Sequence, residues 1–123
     1  MSDYRVLIVD DEEEFVTTIA ERLQIRGIET LTAIDGESAL KIIDSDPPKV
    51  AVLDLMMPGL GGLDILKYIQ DKNLQIPVIL ITGYGSTEPD IDGMKHGAFD
   101  CLMKPCDIDK LISKIQEAVK KIN

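Results

Sequence analysis

The sequence has little of what several classes of protein require. Its 123 residues include two cysteines, one histidine and no tryptophan. Two isolated cysteines are too few for a zinc-ligand pattern and are typical of reduced thiols in a cytoplasmic protein. The apolar runs are far shorter than the roughly 20 residues that cross a bilayer, and no signal peptide is evident. We therefore expect a cytoplasmic protein with neither a structural zinc site nor a membrane segment.

Basic residues are also scarce. Lys and Arg number 13 against 22 Asp and Glu, which gives a formal net charge of -9. Because phosphate contacts need clustered Lys and Arg, we expect no direct nucleic-acid binding by this domain, and any such activity would belong to a partner. No repeat, low-complexity segment or linker interrupts the chain. Residues 1–123 are therefore expected to form a single domain with its own core.

Hydrophobic periodicity predicts five strands in alternation with five helices. The strands fall at residues 5–9, 28–33, 50–53, 77–82 and 101–103, and the helices at 12–26, from 35, 63–71, 89–96 and from 108. Strict alternation implies an α/β fold of three layers, in which a doubly wound parallel sheet has helices on both faces. The second strand alternates and the fifth is short, so they fit the two edges. We predict the strand order 2-1-3-4-5 of flavodoxin-like folds.

Five chemically active residues follow or end these strands. Asp10 and Asp11 follow the first strand, Asp54 ends the third, Thr82 the fourth and Lys104 the fifth. Carboxyl ends of parallel strands lie at one edge, so these side chains should meet there. Three gathered carboxylates repel one another by roughly 3 kcal/mol per pair at about 5 Å and a dielectric of about 20. Either one carboxyl group has a raised pKa, or a divalent cation binds.

An all-oxygen site with few protein ligands suits Mg²⁺, which keeps several of its waters. Asp10 and Asp11 then look like metal ligands, which leaves Asp54 to act as a nucleophile. A carboxylate can attack phosphorus to form an aspartyl phosphate, while Lys104 neutralises the phosphoryl oxygens and Thr82 hydrogen-bonds one of them.

At these residues the sequence closely resembles the response-regulator receiver domain of two-component signal transduction, of the chemotaxis-receiver type. The resemblance covers the whole chain. It is carried by the acid pair in LIVDDEE, the acceptor in LDLMMPG, the threonine in ILITGYG and the lysine in GAFDCLMKPC, which stand in the order and at the spacing of that family. Each motif alone is weak, but the set is specific.

The resemblance implies a role for each residue. By this resemblance, Asp54 is the phosphoacceptor. The implied ligands of Mg²⁺ are Asp10, Asp11, Asp54 and the backbone carbonyl of Met56. By the same resemblance, Thr82 and Lys104 contact the phosphoryl group, and the Lys104-Pro105 bond is expected to be cis, which would aim the lysine at the site.

The family also implies partners and an output. A sensor histidine kinase, or a phosphohistidine carrier, presents the phosphoryl group, and the receiver catalyses only its own phosphorylation and dephosphorylation. Phosphorylation is expected to remodel the face formed by residues 89–96, the fifth strand and the last helix, where an output domain, a partner protein or a second copy binds. The helical pattern at residues 89–96 is weak, because it contains Gly93 and few apolar residues. It is consistent with an element that switches between two conformations.

Two positions depart from the family pattern. Cys101 stands three residues before Lys104, where the family usually has Tyr or Phe, and a thiol cannot sweep the same volume. Our hypothesis is that Tyr84, in the loop that starts at Gly83, supplies the moving ring instead. Tyr84 and Met56 also occupy the two positions that line the approach of hydrolytic water. Both side chains can shield the phosphoryl group and neither can orient a water, which predicts slow loss of phosphate. The alternative, with Met56 as surface filler and Tyr84 as a loop aromatic, is equally open.

Other interpretations stay open or are weaker. A docking module that needs no phosphorylation should have lost one of the five residues, and an aspartyl-phosphate phosphatase would need a second acid two residues after its nucleophile. His96 fits a solvated cation better than a phosphocarrier, and Cys106 fits burial at a helix start. The glycines of residues 59–62 fit a flexible turn better than a dinucleotide loop.

Overall fold

The computed structural model describes residues 4–83, 97–104 and 107–122. Within these ranges the strands are β1 (Arg5–Val9), β2 (Glu29–Ala33), β3 (Val50–Asp54), β4 (Val78–Thr82) and β5 (Asp100–Met103). The helices are α1 (Glu13–Ile25), α2 (Gly36–Ser45), α3 (Gly62–Asp71) and α4 (Ile108–Ile122). Each strand lies within one residue of its predicted bounds, whereas the helix predicted over 89–96 falls outside the described residues.

The five strands form one sheet in the order β2-β1-β3-β4-β5, and every pair of neighbours is parallel. This confirms the predicted doubly wound α/β fold. The chain runs outward from β1 to β2, then crosses back to β3 and continues through β4 to β5. The direction therefore reverses between β1 and β3, and open sheets of this kind bind ligands at the carboxyl ends of the strands beside that point.

The sheet divides the core into two apolar layers. Side chains alternate between faces along a strand, so Val6 and Ile8 face one layer while Leu7 and Val9 face the other. The first layer packs with α1 and α4, and the second with α2 and α3. Burying each large aliphatic side chain contributes roughly 1.5–3 kcal/mol. Because both faces are covered, the three central strands are apolar except at one end residue each, namely Arg5, Asp54 and Thr82.

The edge strand β2 is less buried. Ala33 is buried and Leu31 is partly buried, whereas Glu29 and Thr32 are exposed. Glu29 shares a face with Leu31 and Ala33, so burial on that face increases toward the carboxyl end of the strand, while Thr32 on the other face is exposed. None of the helices that the structure describes is both long and apolar enough to cross a bilayer.

Helix ends follow the sequence signals. Asp35 caps α2 as predicted, because its Oδ1 accepts the Ser38 N–H at 2.7 Å. Gly27 ends α1 with a φ of 81°, a conformation that favours glycine. The buried face of α1 is Val16, Ile19, Ala20 and Leu23. Phe15, expected on that face, is only partly buried there.

Close packing of α3 on the end of β3 fixes the backbone at Asp54. A Cβ added to Gly62 would lie 2.6 Å from the carbonyl oxygen of Asp54, and one added to Gly61 would lie 2.9 Å from that of Leu55. Only glycine fits at such distances. Two glycines of the predicted flexible turn therefore serve a tight contact between backbones, while Gly59 supplies a φ of 73°.

We predict that Gly62→Ala lowers the free energy of unfolding by roughly 1–3 kcal/mol, because the added methyl group must displace α3 or the Asp54 peptide. Urea unfolding measures this. The matched control is Gly83→Ala, since no described atom lies within 4 Å of a Cβ at Gly83. Equal free energies of unfolding for the two variants would show that the backbone around Gly62 accommodates the methyl group without loss of stability.

Candidate functional site

Four of the predicted site residues meet at the carboxyl edge of the sheet. Asp10 follows β1, Asp54 and Thr82 are the last residues of β3 and β4, and Lys104 follows β5. Backbone hydrogen bonds hold the two outer residues in place. The Asp10 N–H donates to the Ala33 carbonyl at 3.2 Å, and the Lys104 N–H donates to the Thr82 carbonyl at 2.9 Å. The carboxyl ends of the strands therefore position the side chains of the site.

Three carboxylates lie together at this edge. Asp10, Asp11 and Asp54 each place one oxygen within 4.8 Å of the others. Asp10 is only 1% exposed and Asp54 only 4%, whereas Asp11 is exposed. The cluster therefore has two buried members and one member at its mouth.

Main-chain N–H groups orient the two buried carboxylates. The Met56 N–H donates to Asp54 Oδ1 at 3.1 Å, and the Glu12 N–H donates to Asp10 Oδ1 at 2.9 Å. Each bond reaches the residue two positions later, as in an Asx turn. The other oxygen of each carboxylate, Oδ2, lies near the Lys104 ammonium, at 2.6 Å for Asp10 and 3.7 Å for Asp54.

The Lys104 ammonium has further partners. It donates to Glu12 Oε1 at 2.8 Å and lies 4.7 Å from the centroid of the Phe15 ring. It is also paired with Asp10 Oδ2 at 2.6 Å. Glu12 and Phe15 are not predicted by the sequence pattern. Their positions directly after the acid pair, where α1 begins, are the signal that points to them.

Burial controls the charge of Asp10. Removal from water raises the pKa of its carboxyl group from 3.8 to about 6, and the charge of Asp54 adds to the rise, while Lys104 and the Glu12 N–H partly offset it. Burial lowers the pKa of Lys104, but the carboxylates of Asp10 and Glu12 outweigh that effect and raise it above its usual range. The lysine is therefore cationic at neutral pH, and a further cation would stabilise the charged form of Asp10.

Thr82 is fully buried, and its Oγ1 has no hydrogen-bond partner among the described residues. A buried hydroxyl group without a partner costs about 1–3 kcal/mol. An oxygen of a ligand bound at this edge would remove that cost.

The residues present fit a magnesium ion. The donors are carboxylate oxygens, which hard divalent cations prefer, and Asp10 Oδ2 accepts no hydrogen bond from the residues that the structure describes. Met56, implied as a further ligand through its carbonyl group, is tied to Asp54 by its own N–H. The arrangement can hold a cation while one carboxylate oxygen of Asp54 stays beside the ammonium group.

The residues predicted to act as a switch are only partly described. Cys101 is half-buried in β5 and packs against the layer formed with α2 and α3, and its N–H donates to Asp100 Oδ1 at 2.8 Å. Gly83 directly follows β4. Four other residues singled out from the sequence lie outside the described ranges, namely Tyr84, His96, Pro105 and Cys106.

The fold can be compared with those of known protein families. The family model of the response regulator receiver domain matches residues 6–116. The chain therefore belongs to the response regulator receiver domain family, whose members are regulatory modules. This confirms the family that the four motifs indicate.

Named relatives agree with this assignment. The chain is 34% identical over 116 residues to the regulatory protein AtoC of Escherichia coli, and it covers 25% of that protein with 94% of its own length. It is 31% identical over 117 residues to the transcriptional regulatory protein PhoP of Bacillus subtilis, where 95% of the chain covers 49% of the protein. The chain thus spans about a quarter to a half of these two curated relatives.

Solved structures give the same result. The receiver domain of the Francisella response regulator 1452 matches with a TM-score of 0.91 and 36% identity, over 98% of this chain and all of that one. NtrX from Brucella abortus, in a complex with ATP, matches with a TM-score of 0.91 and 33% identity, over 98% of this chain and 28% of that one.

We predict that Asp10→Asn stabilises the metal-free domain at neutral pH. Between about pH 4 and pH 6 folded Asp10 keeps a proton that the unfolded chain has lost, so stability falls as pH rises through this window. A shift from 3.8 to about 6 corresponds to at most about 3 kcal/mol. In EDTA, urea unfolding should find the variant more stable by about 1–3 kcal/mol at pH 7.5 and equal to the parent near pH 4.

The control for this experiment is Asp71→Asn, at the exposed end of α3. It removes the same charge without relieving a buried carboxyl group, and its stability should follow that of the parent across the pH range. A parent and an Asp10→Asn variant with the same stability at pH 7.5 would contradict the raised pKa.

Proposed function

We propose that this chain is a phosphoacceptor receiver that takes a phosphoryl group from a phosphohistidine onto Asp54. The observation that carries the proposal is the state of this carboxylate. It is almost fully buried, its Oδ1 is held by the Met56 N–H, and its Oδ2 lies 3.7 Å from the Lys104 ammonium within the acidic cluster. One oxygen is therefore fixed and the other is placed beside a positive charge.

Mg²⁺ is the proposed cofactor, with the carboxylates of Asp10, Asp11 and Asp54 and the backbone carbonyl of Met56 as its ligands. When bound, it would neutralise negative charge on the carboxylates and on the phosphoryl oxygens. Support comes from the shared all-oxygen cluster and from the burial that raises the Asp10 pKa.

Three side chains have proposed roles in the transfer of the phosphoryl group. Asp54 Oδ2 forms a bond to phosphorus as the bond from phosphorus to the histidine nitrogen breaks, and the imidazole keeps that electron pair. Lys104 offers its ammonium group to a phosphoryl oxygen, because it already lies 3.7 Å from Asp54 Oδ2. The Thr82 hydroxyl, buried and without a described partner, donates to another oxygen.

The donor and the output are proposed from the family. A sensor histidine kinase, or a phosphohistidine carrier, supplies the phosphoryl group in the cytoplasm, and residues 1–123 act as one receiver domain. The phosphoryl group adds about 1.5 to 2 negative charges, which draws Thr82 and Lys104 inward. The face that includes β5 and α4 then changes its affinity for an output domain, a partner protein or a second copy. Cys101 replaces the usual aromatic there, and Tyr84 is the proposed moving ring.

We predict that incubation with Mg²⁺ and acetyl phosphate adds one phosphoryl group to the parent and none to Asp54→Asn. Intact-mass spectrometry measures this. The exposed control Asp71→Asn should gain the group like the parent, and EDTA should prevent the gain. Phosphorylation of Asp54→Asn to the level of the parent would place the acceptor elsewhere.

A second prediction concerns the loss of the phosphoryl group. Met56 is 60% exposed and follows Asp54 by two residues, and its side chain cannot orient a hydrolytic water. The phosphorylated parent should therefore decay slowly once acetyl phosphate is removed. Met56→Asn, which can hold a water, should decay several-fold faster, whereas Met56→Leu should decay like the parent. A lifetime of seconds for the parent would contradict the prediction.

A further inference from the structure

The Lys104 ammonium lies between two carboxylates of different character. Asp10 Oδ2, at 2.6 Å, belongs to a nearly inaccessible residue, while Glu12 Oε1, at 2.8 Å, belongs to a side chain that is 66% exposed. The ring of Phe15 lies against the ammonium as well, at 4.7 Å from nitrogen to centroid. The lysine side chain is only 15% exposed as a result.

A cation bound at Asp10 and the present position of Lys104 exclude each other. The ammonium nitrogen lies 2.6 Å from Asp10 Oδ2, an oxygen that a bound metal would use. Two positive charges at one oxygen repel strongly in a buried site. A metal at Asp10 must therefore displace the ammonium group from Asp10.

Glu12 is the partner that Lys104 can keep. Its carboxylate is outside the cluster formed by Asp10, Asp11 and Asp54, and its main-chain N–H is already bound to Asp10 Oδ1. The Glu12 side chain thus binds the Lys104 ammonium on the exposed side of the site, and the Glu12 N–H binds the buried carboxylate of Asp10. An ammonium bound to Glu12 and Phe15 stays beside Asp54 Oδ2, which is 3.7 Å away.

We propose that Glu12 is a positioning residue that retains Lys104 at the site when Mg²⁺ takes Asp10. The proposal rests on the proposed function, because it describes how that site exchanges one cation for another. Without the Glu12 carboxylate, the nearest anions left to the ammonium among the described residues are Asp10 at 2.6 Å and Asp54 at 3.7 Å, so the lysine stays on Asp10. Glu12 therefore favours metal binding through the lysine, in addition to the attraction of its own charge.

The test is a double-mutant cycle on the affinity for Mg²⁺ alone, measured by calorimetric titration. Glu12→Gln should weaken binding by about two- to fivefold, as expected for the loss of one partly exposed ion pair. In a Lys104→Met background, where no ammonium needs to be displaced, the same substitution should have a clearly smaller effect. Glu13→Gln, which removes a neighbouring exposed charge in the first turn of α1, is the matched control and should match that smaller effect.

The sign of the effect decides between two roles of Glu12. If Glu12→Gln strengthened Mg²⁺ binding, the glutamate would instead fasten the lysine onto Asp10, and the proposal would be overturned. An equal effect in the two backgrounds would also overturn it, since Glu12 would then act only through its charge.

A second measurement separates this inference from the proposed function. At saturating Mg²⁺, Glu12→Gln should gain the phosphoryl group from acetyl phosphate more slowly than the parent and Glu13→Gln. A parent that gains no phosphoryl group would contradict the proposed function. The Mg²⁺ titrations would still test whether Glu12 positions Lys104. A parent that is phosphorylated at the same rate as Glu12→Gln would contradict the role of Glu12 alone.

Discussion

The charge balance around Lys104 is the interaction on which the site depends. Burying Asp10 and Asp54 side by side is unfavourable unless a positive charge lies near both, and the ammonium group provides it at 2.6 and 3.7 Å. The strand order makes this possible. Because β5 is hydrogen-bonded to β4, and the Lys104 N–H is bound to the Thr82 carbonyl, a residue late in the chain reaches back over the ends of the central strands. In the proposed function, a bound cation would replace this ammonium group beside Asp10.

The core explains why this edge can hold an unfavourable cluster. Two apolar layers fix the central strands from both sides, so the strand ends cannot move apart to relieve the repulsion. The close contact of Gly62 with the carbonyl group of Asp54 further restricts the backbone at the end of β3. The stability of the core thus offsets the cost of holding buried charges, and a Thr82 hydroxyl group without a partner among the described residues, at this edge.

The fold could be predicted from the sequence because its signals are local. Apolar runs mark β1, β3 and β4, alternation marks β2, and Asp35 marks the start of α2. The meeting of Asp10, Asp54 and Lys104 follows from the parallel sheet together with its predicted strand order. The contacts of Lys104 with Glu12 and Phe15 could not be predicted, since they depend on how long side chains turn at the start of α1. The tight packing at Gly61 and Gly62 depends on where α3 crosses the sheet, which no local pattern encodes.

A crystal structure of the domain with Mg²⁺ and the phosphoryl analogue beryllofluoride tests the central claim most directly. We expect the beryllium group on Asp54, the metal on the carboxylates of Asp10, Asp11 and Asp54, and the Lys104 ammonium moved from Asp10 to the bound anion. A metal or beryllium group bound elsewhere, or a Lys104 that remains on Asp10 with both ligands present, would contradict it.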